Sequence, residues 1–322
     1  MVRPPPLRAG DLVRVIAPGS GFDLPAFEAG LQVLRGRWGL RTRFRDDITA
    51  RTGYLAGDDT RRLAEWDEAV ADEEATAIFC ARGGYGVMRL LPAIDPAPLL
   101  TRPKLVVGFS DITALHAHLN RAGLVTVHGP VVTQLGRAPD DALDHLWALL
   151  SGQPASPGAP GDPPPGAPGV PPPGRGLSGG ATSVPGRASG PLLGGSLTLL
   201  AHLSGTPFLP SLKGAILAIE DVGERPYRLD RYLTQLRLAG ALEGLAGVAV
   251  GQLTNCDDGD RSAAGTVRDL LAELEVPVVE GLPFGHEDRN LALPLGARAT
   301  LVAPAAGDAG LPRLLFDEGA TA

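Results

Sequence analysis

Gly108-Phe109-Ser110-Asp111 follows a short apolar run, Leu105 to Val107, and precedes Thr113 to Leu119, a segment of helical character. Strand, Gly-x-Ser turn and helix in that order make a nucleophile elbow, which lifts a serine hydroxyl above a sheet edge. The helix N-terminus beside Ser110 would turn free backbone N–H groups and the positive dipole end toward any negative charge developing there. The elbow signature has glycine two residues after the serine, where this chain has Ile112. A turn serine with Asp111 as a helix cap accounts for the same residues, so the segment alone leaves both readings open.

A serine nucleophile needs a base, a partner that fixes the base's tautomer, and donors for the oxyanion. The chain has six histidines, at 116, 118, 128, 145, 202 and 286. His116 and His118 lie in the helix after the turn, His145 has helical spacing near Trp147, and His202 sits in a later helix. His128 follows a strand and could face the same edge as Ser110. His286 is flanked by Gly285 and by Glu287-Asp288-Arg289-Asn290, a loop setting that suits a functional side chain on a rigid scaffold. Position therefore favours His286 as base, with His128 next. Glu220 ends an apolar strand, Gly214 to Ile219, where a carboxylate is costly unless paired. Its partner is either an arginine (Arg225, Arg228 and Arg231 are near in sequence) or an imidazole.

Strands alternate with helices through the first half. Residues 12–17 read as a strand ended by Pro18-Gly19-Ser20-Gly21. Residues 25–37 read as a helix, 76–81 as a strand, 104–109 as a strand and 111–121 as a helix. Arg82-Gly83-Gly84-Tyr85-Gly86 is a loop from which a helix starts at Val87. The alternation predicts an α/β fold with a parallel, helix-covered sheet of Rossmann or flavodoxin-like type over residues 1–150. Ligands of such sheets sit beyond the carboxyl ends of the strands, where Pro18–Gly21, Arg82–Gly86 and Gly108–Asp111 all fall. Neither of the first two loops gives G-x-G-x-x-G with a placed acid, so a nucleotide-binding Rossmann reading is weak. A second α/β domain is expected over 192–322, with strands at 214–219, 247–251, 277–279, 297–302 and 312–316.

Between them, Pro or Gly occupies 22 of the 39 positions from Gln153 to Pro191, and no aromatic residue occurs. Such a stretch buries too little to offset its ordering entropy, so 151–191 reads as a flexible linker or surface loop. Its polyproline runs would fit an SH3-type groove, but nothing else in the chain implies a signalling partner. A hydrophobic content of 44% over 322 residues supports a sizeable core, and a net charge of −7 argues against general nucleic-acid binding. Cys80 and Cys256 suggest neither a disulfide framework nor a metal knuckle. No run approaches the roughly 20 apolar residues of a membrane span, and the N-terminus lacks a signal-peptide core, so a cytoplasmic protein is expected.

The segment Gly108 to Leu115 resembles the nucleophile segment of the LD-carboxypeptidase family of serine peptidases, which comprises muramoyltetrapeptide carboxypeptidases and microcin C immunity peptidases. Four further segments match that family in order: Ala81 to Gly86, Gly190 to Leu197, Glu220 to Arg231, and Gly285-His286. The resemblance covers nearly the whole chain except the Pro/Gly-rich stretch. It implies a Ser–His–Glu triad of Ser110 as nucleophile, His286 as base and Glu220 as its orienter, with Glu224 the rival carboxylate. It implies a swivelling-type second domain and a homodimer; no cofactor and no metal are expected. The backbone N–H groups of Asp111 and Gly84 are the expected oxyanion hole, and Arg82 and Gly83 the candidate substrate contacts; an arginine suits a terminal carboxylate. The chain order serine, acid, histidine is also that of the α/β-hydrolases.

What the resemblance implies as substrate is cytoplasmic murein tetrapeptide, cleaved at the bond to its terminal D-Ala. An alternative is hydrolysis of peptidyl or aminoacyl adenylates, which wants an aromatic platform, whereas Trp38, Trp66 and Trp147 read as helix or core residues. A non-catalytic protein binding peptidoglycan fragments is a further alternative, disfavoured by the intact Ser110, Glu220 and His286.

Overall fold

Short apolar runs punctuated by glycine and proline become strands, and the amphipathic segments between them become helices. The computed structural model describes residues 1–153, 171–172, 174–308 and 310–322. In chain order the first half contains β1 (Leu12–Ile16), α1 (Leu24–Gln32), β2 (Arg41–Arg43), α2 (Asp59–Ala71), β3 (Ala75–Cys80), α3 (Ala97–Thr101), β4 (Leu105–Gly108), α4 (Thr113–Ala122), β5 (Thr126–His128), α5 (Val132–Leu135) and α6 (Asp140–Ser151). The second half contains β6 (Gly176–Ser178), β7 (Ala181–Val184), β8 (Gly186–Ser196), α7 (Leu197–Leu203), β9 (Ile216–Val222), α8 (Pro226–Leu238), β10 (Gly247–Thr254), α9 (Ala263–Ala272), β11 (Val278–Glu280), β12 (Leu293–Leu295), β13 (Arg298–Ala303) and β14 (Arg313–Phe316).

The first sheet runs β12-β5-β4-β3-β1-β2. Strands β1 to β5 are parallel, with β1 and β4 buried along their whole length, as expected of a sheet covered on both faces. The second sheet runs β6-β14-β13-β8-β9-β10-β11-β7. Its centre, β8 to β11, is parallel, and antiparallel strands complete both flanks. The architecture is thus the expected α/β pair, a parallel-sheet unit followed by a second α/β unit.

Three expectations are corrected. Residues 174–191 are not a linker: β6, β7 and the first half of β8 lie there. These strands are specified by backbone pairing, β6 on β14 and β7 on β11, which needs no large side chain. Residues 154–170 and 173 of the expected linker fall outside the described residues. Next, the two sheets do not divide cleanly at residue 192. Strand β12 joins the first sheet antiparallel to β5, with Leu293 opposite His128 and Leu295 opposite Thr126, and so covers an edge that would otherwise present unpaired N–H and C=O groups. The apolar core is shared accordingly, with Val107 and Val127 packing in one cluster with Ile216, Ala218 and Phe284. Finally, the helix expected from Val87 is two short 3-10 turns, Val87–Arg89 and Leu91–Ala93, because Pro92 lacks the N–H that a continuing α-helix would use.

Candidate active site

At the end of β4 the Gly108 carbonyl accepts a hydrogen bond from Nε2 of the buried His116 (2.8 Å). Burial pushes His116 down to about 4, so the ring is neutral and holds the strand end as a simple donor. Phe109 is extended, and Ser110 then turns to φ 64°, the left-handed region that costs a non-glycine residue roughly 1–2 kcal/mol. A 3-10 turn, Ser110–Ile112, leads into α4, and Ser110 remains partly exposed at its start. This is the strained strand-to-helix turn of an elbow. Asp111 does more than cap the helix: its buried carboxylate accepts the Val87 N–H at 2.9 Å and ties the serine turn to the glycine loop. Burial raises the Asp111 carboxyl to about 6.

The glycine loop packs directly on that turn. A Cβ on Gly83 would lie 3.0 Å from both the Phe109 carbonyl oxygen and the Ser110 Cβ, and 3.2 Å from the Asp111 nitrogen, so only glycine fits without displacement. The Gly83 carbonyl accepts the Ser20 N–H (2.9 Å), and the Ser20 hydroxyl accepts the Tyr85 N–H (3.0 Å). Gly84 is exposed, with φ +87°, and its N–H donates to no carbonyl among the described residues. Arg62 of α2 is wholly buried and donates to the carbonyls of Pro18 and Gly86 (the latter at 3.0 Å), bracing the two loops beside the serine. Arg82 is exposed and donates to the Gly21 carbonyl (2.6 Å), with no acidic partner among the described residues.

The second sheet brings an acid and an imidazole to the same place. Ser196 and Glu220 are register partners on β8 and β9. The Ser196 N–H donates to Thr113 Oγ1 (3.0 Å), and Gly195 presses on the same threonine, so β8 docks on the first turn of α4. Glu220 is fully buried. Its Oε2 lies 2.7 Å from His286 Nδ1, while Oε1 has no partner. Desolvation works against a charged His286, but the Glu220 carboxylate, and behind it Asp221, outweigh it, and the net shift is upward. Asp221 faces the other way, accepting from the N–H and hydroxyl of Thr198 (both 2.8 Å), and burial raises it to about 6. The His286 ring packs on Phe109, centroids 4.7 Å apart, which sets it beside the residue preceding Ser110. No hydrogen bond joins Ser110 to His286, whose ring contacts Glu220 and Phe109.

Of the rival residues, Glu224 accepts from Arg228 (3.3 Å) in a surface pair and does not meet His286. His128 is fully buried between Phe109 and Phe284, with neither ring nitrogen partnered. His145 and His118 donate to or accept from main chain, and His202 packs on Tyr232. The site also contains residues the sequence did not single out. Gln252 of β10 and Asn290 both hold the His286 loop, Thr113 joins the sheets, and Arg62 braces the loops. Asn290 stands in the Gly285–Asn290 cluster and Thr113 in the Gly108–Leu115 segment, signals that were available; Gln252 and Arg62 are distant in sequence and carry none. Tyr54 and Tyr85, 64% and 52% exposed, form an edge-to-face pair (5.3 Å) at the glycine loop. Among the described residues no group of three His, Cys, Asp or Glu side chains is placed to hold a metal ion, and no helix is long and apolar enough to cross a membrane.

A serine at a strained strand-to-helix turn, and a buried carboxylate–imidazole contact whose ring packs on the preceding residue, are groups of the kind a serine hydrolase uses. Residues 13–129 match the LD-carboxypeptidase N-terminal domain and residues 189–301 the LD-carboxypeptidase C-terminal domain. A putative carboxypeptidase of Streptomyces coelicolor is 42% identical over 308 residues, 94% of this chain and 93% of the relative. The murein tetrapeptide carboxypeptidase of Pseudomonas aeruginosa is 35% identical over 297 residues, 90% and 92% respectively. The crystal structure of muramoyltetrapeptide carboxypeptidase from Oxalobacter formigenes superposes with a TM-score of 0.80 at 29% identity, over 96% of this chain and 99% of that one. The chain belongs to the LD-carboxypeptidase family and is a serine-type carboxypeptidase.

Proposed function

We propose that this enzyme removes the terminal D-Ala from murein tetrapeptide, using Ser110 as nucleophile, His286 as general base and Glu220 as the group that orients and charges the base. The observation that carries the reading is the 2.7 Å contact between His286 Nδ1 and the buried Glu220, set against the ring of Phe109 next to a positive-φ serine. Glu220 holds Nδ1 protonated, which leaves Nε2 as the acceptor. Ser110 attacks the scissile carbonyl while Nε2 takes its proton. The oxyanion meets the N–H groups of Asp111 and Gly84, each such donor lowering the barrier by about 3 kcal/mol. The imidazolium then protonates the leaving D-Ala amine, and water, activated by the same ring, releases the acyl group. The absent Ser110–His286 hydrogen bond fits this scheme, since such contacts often tighten only with substrate in place.

Arg82 is the proposed contact for the free carboxylate, with Gly83 shaping the wall between it and Ser110. In this reading the enzyme acts in the cytoplasm on peptides released by wall turnover, as a homodimer. Mass-spectrometric detection of D-Ala release from murein tetrapeptide, wild type against Ser110→Ala, tests it. Release that disappears in the variant is expected; release that persists would remove Ser110 from the mechanism.

One observation favours a second reading. The exposed Tyr54–Tyr85 pair provides aromatic surface at the glycine loop, which hydrolysis of an aminoacyl or peptidyl adenylate would need for its base. An aminoacyl sulfamoyl adenosine that binds tightly to the Ser110→Ala protein, with no D-Ala released by wild type, would select it.

A further inference from the structure

The segment that carries His286 leaves the second sheet at β11 and enters the first at β12, so its placement depends on both. Along that path it lies on residues at four-residue spacing in and just before α6. Arg137 Nε lies 2.8 Å from Asp288 Oδ1, Arg289 Nε lies 2.7 Å from Asp141 Oδ2, and His145 Nε2 donates to the Ala292 carbonyl at 3.0 Å. His145 Nδ1 accepts the Gly174 N–H (3.1 Å), which leaves the proton on Nε2 and fixes the donor. On the other side the Gln252 side chain accepts the Glu287 N–H (3.1 Å) and donates to the Arg289 carbonyl (3.0 Å). Asn290 closes the loop inwardly by accepting the Gly285 N–H (3.0 Å).

The two ion pairs are exposed, and such pairs contribute little to stability. Their order is what matters. The helix side reads positive then negative, and the segment reads negative then positive. A slip of one residue would set Asp288 against Asp141, a like-charge contact that disfavours the wrong register.

We propose that Arg137 and Asp141 are positioning residues for His286, a charge-keyed rail that sets the base at its distance from Ser110. This rests on the reading of His286 as the base. The rail acts on the rate at which the serine is activated and not on the Glu220–His286 contact, whose carboxylate is fixed separately on β9 of the second sheet.

The test is the rate of covalent inactivation of Ser110 by diisopropyl fluorophosphate, which reads nucleophile activation without needing the natural substrate. Arg137→Asp and Asp288→Arg are each expected to slow inactivation about tenfold, the cost of a sub-ångström to ångström displacement of a reacting group. Combining them restores opposite charges and is expected to return the rate to within about twofold of wild type. Arg137→Lys should keep the rate, and thermal melting should be unchanged in all four proteins. The low-field proton resonance of the His286–Glu220 contact should persist in the slow variants. Single reversals without effect, or a double variant as slow as the singles, would overturn the rail while leaving the base assignment intact. Wild-type protein that is not inactivated, or that is inactivated equally after Ser110→Ala, would overturn the base assignment and the rail together.

Discussion

His286 turns Nδ1 to Glu220 and leaves Nε2 without a hydrogen bond among the described residues, on a ring held against Phe109. The carboxylate is fully buried, its second oxygen has no partner, and the imidazole is its only side-chain hydrogen-bond partner among the described residues.

Replacing Glu220 with Gln keeps the shape and removes that charge. The loss in kcat/KM is expected to be on the order of 10³- to 10⁴-fold, as for a triad whose base loses its tautomer control. The pH profile carries a second signature. In wild type the activity should rise with pH through a histidine pKa above the ordinary value of about 6.5, because the neutral ring is the active form. In Glu220→Gln that limb should move to lower pH. A limb that stays in place would detach Glu220 from the titrating group.

Asp111 is raised to about 6 by burial, above the unfolded value of about 3.9. A raised carboxyl contributes stability below its unfolded pKa and loses it as pH rises through the folded one. Asp111→Asn removes the titration while keeping an oxygen for the Val87 N–H. The variant should therefore gain on wild type by about 2–3 kcal/mol in unfolding free energy between about pH 4 and about pH 7.5. Chemical denaturation at both pH values measures this, and a constant difference would argue that Asp111 titrates normally.

Gly83→Ala places a methyl group against the Phe109 carbonyl and the Ser110 Cβ. Either the turn or the loop must move. Overpacking of this kind costs about 1–3 kcal/mol, which lowers the melting temperature by a few degrees. The expected loss in kcat is larger in consequence, about 10- to 100-fold, because the displaced residue is the proposed nucleophile. Wild-type kcat in a folded variant would refute a close functional packing here.

Deleting residues 155–188 removes β6 and β7, the two outer strands of the second sheet, with part of β8. The edges of β14 and β11 would then be bare. Lower thermal stability and concentration-dependent aggregation are expected, since unpaired edges template intermolecular pairing. A deletion protein that melts and sediments like wild type would return this stretch to the status of a dispensable loop.

The parallel sheet was legible because β4 is wholly apolar, β1 and β3 are each apolar but for one residue, and amphipathic helices separate them, a pattern with few alternatives. The turn at Ser110 was legible as a candidate from Gly108-x-Ser110, though Ile112 breaks the signature. The meeting of Glu220 with His286 was suggested only by resemblance, since 66 residues separate them and no periodicity links them. Strands β6 and β7 were hidden because composition reports what a side chain can bury, and these strands are held by main-chain pairing to distant neighbours. The crossing of β12 was hidden for a related reason. Leu293-Pro294-Leu295 is short, contains proline and finds its partner about 165 residues earlier, so nothing local marks which sheet it joins. Arg62 and Gln252 lack any local signal, as each matters through carbonyls and amides of other loops.

The place of β12 also bears on how the molecule is made. The serine turn is complete once α4 has been synthesised, but His286 and the strand that closes the first sheet come more than 160 residues later. Every nascent fragment that ends between β5 and β12 carries Ser110 in a sheet whose β5 edge is still uncovered. In the proposed scheme the base and the strand that closes the first sheet therefore arrive together, late in synthesis.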